Sequence, residues 1–109
     1  MVGRPRRSHR WRMTTSLQIR NTVHDFEAWK AAFDKFERFR ADHGVRSYRV
    51  LRRADDAQDV QVILDFDSPE AAVEFRGQLE QIWRTPQSRN QLVAHDEPLL
   101  LEDVGRESW

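Results

Sequence analysis

Hydrophobic and polar residues alternate between residues 16 and 23, near the start of the chain. Leu17, Ile19 and Val23 share one register, and Asn21 occupies the same register as a single polar residue. A period of two is typical of a strand with one apolar face. The alternation therefore predicts a first strand over residues 16–23, with Asn21 among the residues that face the core.

The period then changes to that of a helix. Asp25 is suited to cap a helix N-terminus, and Gly44 is suited to follow a helix C-terminus. Between them, aromatic residues recur at steps of three and four positions, which places them on one helix face. They are Phe26, Trp29, Phe33, Phe36 and Phe39. The pattern predicts one helix from about residue 25 to His43.

Two β-rich segments follow, over residues 45–53 and 60–66. The second segment alternates between two faces, one of which is wholly apolar, and the residues between the two segments are polar. These features predict an antiparallel hairpin closed by a polar turn.

A second helix is predicted to begin after Ser68, a suitable N-cap, with Pro69 as its first residue. Gly77 lies inside the helical pattern. Because glycine is a poor helix former, the pattern predicts a kink or a break there. Residues 88–95 are expected to include a short helical turn, and residues 99–104 are expected to form the last strand.

The predicted order of elements is β-α-β-β-α-β, which is that of a ferredoxin-like domain. We expect an α+β fold with a four-stranded antiparallel sheet and both helices on one face. A single domain over residues 15–105 suits a chain of 109 residues. Residues 1–14 are expected to form a disordered basic leader, and residues 106–109 a polar tail.

The composition narrows the possible functions. The chain has 18 basic and 18 acidic residues, but five arginines lie within residues 1–12, so the remainder carries a net charge of −5. An acidic domain does not favour nucleic-acid binding, and the predicted third strand lacks the aromatic residues with which RNA-recognition domains stack bases. No apolar run is long enough for a membrane span or a secretory signal, so we expect a cytoplasmic protein. The absence of cysteine excludes disulfides and thiolate metal sites.

The sheet face that points away from the helices carries two kinds of residue. The first and third strands place polar residues there, namely Gln18, Arg20, Thr22, Gln61 and Asp65. Leu99–Leu101, in contrast, is apolar on both sides of the last strand. Tyr48 and Val50 lie near Leu51 in the second strand, so part of this face is apolar enough to favour burial against another protein surface. A monomer and a dimer both fit this pattern, and we expect a homodimer that joins its sheet faces.

Three side chains are candidates for proton transfer or for hydrogen bonding to a substrate. His24 lies where the first strand meets the first helix, and His95 precedes the last strand, at positions that can face a cavity. Tyr48 is the only tyrosine and can donate a hydrogen bond to a phenolic oxygen. Surface positions for the histidines and a half-buried place in the sheet for Tyr48 are the simpler alternatives. No two histidines have the spacing of metal ligands, so no metal site is predicted.

Asn21 is the most informative polar residue in the predicted core. A buried amide must find partners, because leaving a donor or acceptor unsatisfied costs about 1–3 kcal/mol. Two explanations stay open. The amide bonds a strand end or a buried water, or it binds a ligand.

Several short sequence segments, spread along the chain, occur in an order that is found in one group of small proteins. They comprise residues 25–30 (DFEAWK) with Phe33 and Asp34, Gly44 before Tyr48–Val50, Asp55 and Asp56 ahead of Asp59, residues 65–68 (DFDS) with Phe75, and the closing Glu97 and Pro98. Over about residues 16–104, the chain thereby resembles small actinobacterial proteins of the dimeric α+β barrel superfamily, of the cyclase-like and antibiotic-biosynthesis-monooxygenase-like kinds. The resemblance implies the ferredoxin-like fold.

The resemblance also implies a class of function. In this superfamily two subunits join their sheets into a barrel, and a cavity between each sheet and its helices holds small aromatic or polyketide-like molecules. Members include cofactor-free oxygenases, haem-degrading enzymes, cyclases and proteins with no known activity. Some oxygenases place an asparagine near the first strand together with a tryptophan, which implies a substrate-binding role for Asn21 with Trp29 or Trp83. Residues 69–83 lack the helix-borne histidine of the haem-degrading branch, so no cofactor is expected.

Three functional hypotheses follow. The chain is a cofactor-free oxygenase or cyclase that acts on an aromatic or polyketide-like substrate, a carrier or sensor that uses the same cavity, or an oligomerisation module. An apolar cavity with convergent polar groups would favour the first two over the third. Polar groups held in a reactive geometry would favour the enzyme over the carrier.

Overall fold

The computed structural model describes residues 14–105 and Glu107. Most of the predicted leader and most of the predicted tail therefore lie outside the described residues. The strands and helices, in chain order, are β1 (Thr15–Val23), α1 (Phe26–Lys35), α2 (Glu37–Asp42), β2 (Ser47–Arg53), β3 (Asp56–Phe66), α3 (Pro69–Trp83), α4 (Pro86–Gln91), β4 (Leu92–His95) and β5 (Leu99–Glu102).

The antiparallel sheet has the order β2-β3-β1, and β1 is bordered on its other side by β4 and β5. β5 pairs with the first half of β1, and β4 pairs with its last residues, so the two strands lie end to end. They act as one interrupted edge strand, which confirms the ferredoxin-like α+β fold. The predicted last strand over residues 99–104 is shorter than expected, because it ends at Glu102.

The segment over residues 88–95 differs from the prediction of a simple helical turn. A short helix ends at Gln91, and the chain then pairs with β1 as β4. Thr85 starts that helix by accepting a hydrogen bond from the backbone N–H of Ser88 (N···O 3.3 Å). Four residues are too few for a clear alternation of apolar and polar positions, so β4 depends on its tertiary partner β1.

The first predicted helix is in fact two helices, α1 and α2, which divide at Phe36. The backbone N–H of Phe36 donates to the carbonyl oxygen of Phe33 (N···O 3.1 Å), which is a tighter turn than an α-helix makes. The same carbonyl accepts a hydrogen bond from Nη1 of Arg40 at 2.8 Å. A side chain therefore supplies part of the hydrogen bonding at the break, which a pattern of apolar residues does not reveal.

Two other local predictions are wrong. The predicted kink at Gly77 is absent, because α3 continues through it to Trp83. A kink is not required there, since nothing lies within 4 Å of the place where a Cβ would be. The hairpin turn is also shorter than predicted, because β3 begins at Asp56. This end of the hairpin is exposed, so backbone hydrogen bonds extend it without an apolar side-chain pattern.

The hydrophobic core lies between the sheet and the helices. Its buried residues come from alternate positions of β1 and β3 and from the inner faces of α1 and α3. They are Leu17, Ile19, Val23, Trp29, Val45, Val60, Val62, Leu64, Phe66, Ala72 and Phe75. Asp25 caps α1 and Ser68 caps α3, as predicted. These elements fix the walls of the space described below.

The open face of the sheet is mostly polar and internally hydrogen-bonded. The hydroxyl groups of Ser16 and Ser47 donate to opposite oxygens of Asp65, at 2.6 and 2.8 Å. Arg20 makes two hydrogen bonds to Asp59 (2.9 and 3.2 Å). These bonds are the first cause that holds the pKa of the Asp59 carboxyl below its ordinary value.

Three leucines interrupt this polar face. Leu51 pairs with Gln61, Leu99 with Gln18 and Leu101 with Ser16, and each leucine is exposed. Opposite residues of an antiparallel pair project from the same side of a sheet.

By the same rule, two residues that were expected on this face lie elsewhere. Tyr48 pairs with Leu64 and Val50 pairs with Val62, so both face the helices. Their neighbour Leu51 alone belongs to the open face as predicted. Among the helices of residues 14–105, none has the length and apolar character needed to cross a membrane.

Candidate functional site

A cavity of about 250 Å³ lies between the helix-facing side of the sheet and the helices. Most of its wall is apolar. The lining residues from the sheet are Ile19, Asn21, Val62 and Leu64, and those from the helices include Trp29, Phe33, Phe36, Phe39, Arg40, Phe75, Leu79, Ile82 and Trp83. An engineered apolar cavity of about 150 Å³ binds benzene, so this volume accommodates an aromatic molecule of more than one ring.

Asn21 brings an amide to the floor of this cavity. Its side chain lies in the apolar register of β1, as predicted, and the residue is 5% exposed. Within the described residues its Oδ1 has no hydrogen-bond partner. For this oxygen the structure therefore shows no strand-end partner, which was one part of the structural explanation, and Asn21 is at the same time a lining residue of the cavity.

Arg40 brings a positive charge to the same cavity, and sequence analysis missed it. It lies on α2 and is only 5% exposed. Its Cζ lies 3.6 Å from the centroid of the Phe33 ring and 4.9 Å from that of the Tyr48 ring. Burial lowers the pKa of the guanidinium, and polar attraction to the side chain of Tyr48, of the hydrogen-bonding kind, is the main opposing influence, although it leaves Nε and Nη2 without a full hydrogen bond. Arginine nevertheless stays charged at neutral pH, because its intrinsic pKa is so high.

The hydrogen bonding of Arg40 is incomplete. Nη1 donates to the carbonyl oxygen of Phe33, but Nε and Nη2 are buried and have no partner among the described residues. A signal for this residue was present in the sequence. Arg40 lies four residues after Phe36 and seven after Phe33, so it is a charge placed on the aromatic face of the predicted helix.

Two predicted tryptophans lie at the cavity wall. Trp29 is buried and stacks on Phe33, with ring centroids 5.1 Å apart and an interplanar angle of 24°. Trp83, at the end of α3, stacks on His95 with centroids 3.8 Å apart. Both tryptophans line the cavity together with Asn21. The structure thus brings the three predicted substrate-binding residues around one space.

The three predicted catalytic residues are placed differently. His95 is exposed but pairs with Asn21 across the strands and stacks on Trp83, so it lies at the edge of the cavity. Tyr48 is half-buried, packs edge-on against Phe33 and does not belong to the lining. His24 is exposed and also lies outside the lining. Tyr48 and His95 are both joined to lining residues by strand pairing and by an aromatic contact, Tyr48 to Leu64 and Phe33 and His95 to Asn21 and Trp83.

The chemistry that the cavity offers is binding of negative charge. Among the described lining residues, Arg40 is the only charged one, and none is a carboxylate or an imidazole. A guanidinium without a counter-ion in a largely apolar lining favours an anionic ligand or an anion that develops during a reaction. Within residues 14–105 no group of three or more His, Asp or Glu side chains comes together as metal ligands do. That there is no metal site stays a prediction.

Comparison with solved structures shows which fold surrounds this cavity. No protein-family model matches the sequence, and neither does any curated protein. The structure is similar to that of SnoaB, a cofactor-independent oxygenase from Streptomyces nogalater (TM-score 0.61, 16% identity, 89% of this chain and 97% of that chain). It is also similar to a candidate antibiotic biosynthesis monooxygenase from Chloroflexus aurantiacus (TM-score 0.63, 18% identity, 87% and 97%).

A third similar structure is that of a dimeric ferredoxin-like protein from an uncultured marine organism (TM-score 0.66, 12% identity, 87% of this chain and 98% of that chain). Each of the three is covered almost entirely, so the likeness extends over the whole domain rather than one motif. Sequence identities this low support a shared fold and do not support a shared chemical activity. The chain therefore has a ferredoxin-like α+β fold, which it shares with these three structures.

Proposed function

We propose that this protein binds a small aromatic or polyketide-like molecule in the cavity and acts on it as a cofactor-independent monooxygenase or cyclase. One observation carries the proposal. An aromatic-walled cavity of about 250 Å³ is lined by Asn21 and Arg40, and the buried amide oxygen of Asn21 and a buried guanidinium edge of Arg40 have no partner in the described protein. Buried polar groups are normally satisfied, so unsatisfied groups on residues that line a cavity indicate a ligand. The similarity to SnoaB supports the oxygenase class.

The charge in the cavity suits both reactions. Each begins with loss of a proton from the substrate, which leaves a delocalised anion. In an oxygenase the carbon of that anion forms a C–O bond with molecular oxygen, and the resulting peroxide takes up the proton. Cleavage of its O–O bond with loss of a second C–H proton then leaves one oxygen as a carbonyl group and releases the other as water, with the substrate as the reductant. In a cyclase the carbon attacks a carbonyl group of the same molecule, a C–C bond forms, and the new alkoxide takes up the proton. Arg40 would hold the substrate by an anionic group, and Asn21 would orient a hydroxyl group of the substrate.

His95 is the candidate base, because it lies beside Asn21 and Trp83 at the cavity edge. His24 was an equal candidate for proton transfer and Tyr48 a candidate donor to a phenolic oxygen. Neither belongs to the lining, and we assign the base to His95, whose ring stacks on the lining residue Trp83. The decisive comparison is His95→Gln against His24→Gln. Removal of the base should abolish turnover and leave binding intact, whereas the His24 variant should resemble wild type. Equal activity of both variants would exclude a catalytic role for His95.

A binding titration and an oxygen measurement test the proposal together. Quenching of tryptophan fluorescence by 1,8-dihydroxyanthrone should saturate, since Trp29 and Trp83 line the cavity. Oxygen uptake that depends on the protein would identify an oxygenase. Cyclisation of a poly-β-ketone thioester without oxygen uptake would identify a cyclase. Absence of saturable binding to either probe would refute the proposal.

A non-catalytic carrier is the second candidate. It is favoured by one specific feature, namely that no described lining residue is a carboxylate or an imidazole. A carrier needs only the apolar wall and the polar anchors, whereas an enzyme needs a proton acceptor within reach. Saturable binding without oxygen uptake or cyclisation, unchanged by His95→Gln, would favour the carrier over the enzyme.

We also propose that two copies of the chain associate through their open sheet faces. Leu51, Leu99 and Leu101 expose apolar surface there, between 41% and 54% of each residue. Burial of such surface against a second copy is favourable, and a similar structure is that of a dimeric protein. Light scattering should therefore give twice the mass of one chain.

Two variants distinguish an interface at the open sheet face from a general effect of placing a charge on the protein surface. Leu101→Lys should produce a monomer, because a charge would lie inside the interface. Val73→Lys should stay dimeric, because Val73 is an exposed apolar residue on the helical side of the domain. A monomeric wild type at micromolar concentration, or dissociation by both variants alike, would contradict this arrangement.

A further inference from the structure

Arg40 lines the cavity, and two guanidinium nitrogens of one edge are buried without a hydrogen-bond partner among the described residues. We infer that this edge binds the carboxylate of an aromatic acid. The inference rests on the proposed function, since it requires that the cavity binds an aromatic molecule, and it narrows that function to one substrate class. Nε and Nη2 are the unpartnered atoms, and Nη1 is occupied by the carbonyl oxygen of Phe33.

The pair of free atoms decides the kind of ligand. Nε and Nη2 donate in parallel from one edge of the planar guanidinium, and the two oxygens of a carboxylate match this fork with two hydrogen bonds. A phenolate offers one oxygen and leaves a buried donor unsatisfied. A phosphate is tetrahedral, carries a larger charge and needs more donors than this largely apolar lining supplies.

The protein does not provide this carboxylate itself. Among the described residues, Arg40 takes part in no ion pair. Asp34, which lies on the preceding helix, is paired with Lys30 at 2.9 Å. Glu37 is exposed at the start of α2 and exerts only a small influence on the Arg40 charge. A buried charge without a counter-ion is unfavourable, so binding of an anionic ligand would supply the ion-pair partner that Arg40 does not have within the described protein.

The packing of Arg40 prepares it for this role. Phe33 lies against the face of the guanidinium, and its carbonyl oxygen holds Nη1 in place. The plane is thereby fixed, so little side-chain entropy is lost when a carboxylate binds. Phe36, Phe39 and Trp29 belong to the same cavity wall and offer apolar surface to the rings of the ligand.

The test compares 2-naphthoate with 2-naphthamide, its neutral analogue of nearly the same shape. Fluorescence titration of the wild-type protein should show the acid binding at least tenfold more tightly than the amide. Arg40→Met should remove this preference, because the charge and the fork are both lost. Arg40→Lys should restore only part of it, because an ammonium keeps the charge but lacks the planar fork. Arg38→Met is the matched control, since Arg38 is an exposed arginine of the same helix.

The outcomes separate this inference from the proposed function. Equal affinity for the acid and the amide would overturn the carboxylate site and leave an aromatic-binding cavity intact. Failure of 2-naphthoate, 2-naphthamide and 1,8-dihydroxyanthrone to bind would overturn both. Loss of the preference in Arg38→Met as much as in Arg40→Met would also overturn the inference, because it would indicate a general charge effect. If Arg40→Met does not fold, the wild-type comparison and Arg40→Lys decide the question.

Discussion

Replacement of Asn21 by leucine should stabilise the ligand-free protein. The amide is 5% exposed, and its Oδ1 has no partner among the described residues, which costs about 1–3 kcal/mol. Leucine has the same branched shape, and its two methyl groups replace the amide oxygen and nitrogen, so the unsatisfied acceptor is removed and apolar surface is buried in its place. Because part of the new side chain faces the cavity rather than packed atoms, we expect a net gain of about 1–3 kcal/mol.

The measurement is a thermal or urea unfolding curve without ligand. For a domain of this size, about 1 kcal/mol corresponds to a rise in Tm of about 4–8 °C. The matched control is Asn90→Leu, the same substitution at an exposed position of α4, which should change Tm little. The same Asn21 variant should bind an aromatic ligand with a hydroxyl group about tenfold less tightly, because the acceptor is gone.

A lower Tm for Asn21→Leu than for wild type would refute this reasoning. It would mean that the amide has a partner in solution, such as a bound water molecule, and is a satisfied structural group. Unchanged affinity in a folded variant would remove Asn21 from the binding site without affecting the argument for Arg40.

Two further predictions concern stability. Gly77→Ala should raise the free energy of unfolding by up to about 1 kcal/mol, because Gly77 is inside a continuous helix with open space around it. Gly44→Ala should lower the free energy of unfolding, because Gly44 has a φ of +96°, which an alanine rarely adopts. Unfolding curves of both variants check this, and a destabilised Gly77→Ala would contradict it. Asp59→Asn should destabilise the protein at neutral pH, since the Arg20 interaction lowers the pKa of Asp59 in the folded state. Because the pKa of Asp59 is lower in the folded state, its ionised carboxylate stabilises the folded protein at pH values above its ordinary pKa of 3.8, and this stabilisation is lost as the pH falls through the folded pKa. The difference in Tm between wild type and Asp59→Asn should therefore become smaller in acid. A difference that stays constant with pH would exclude this ion pair as its cause.

Local patterns in the sequence were sufficient to predict much of the fold. Alternation over residues 16–23 identified β1, Ser68 and Pro69 identified the start of α3, and the order of elements identified the ferredoxin-like arrangement. These features are determined within a few residues of chain, by side-chain periodicity and by capping hydrogen bonds. Asn21 was identified in the same way, because a polar residue in an apolar register is visible without any tertiary contact.

Other features depend on residues that are distant in sequence. β4 exists because β1 offers it an edge, and Tyr48 and Val50 face the helices because the hairpin register pairs them with Leu64 and Val62. A shift of one residue would have turned both side chains to the open face, and the sequence of β2 alone does not fix that choice.

The burial of Arg40 and its place in the cavity lining depend on the tertiary structure. In sequence it is one of many arginines, and a charged residue at a helical position is usually solvated. The break at Phe36 and the packing of Phe33 turn it into the core, where Nη1 finds a carbonyl oxygen and Nε and Nη2 find no partner. The sequence determined which elements form and where polar residues interrupt them. The packing of those elements determined which polar groups meet in one cavity, because burial and hydrogen-bond satisfaction are properties of the assembled fold.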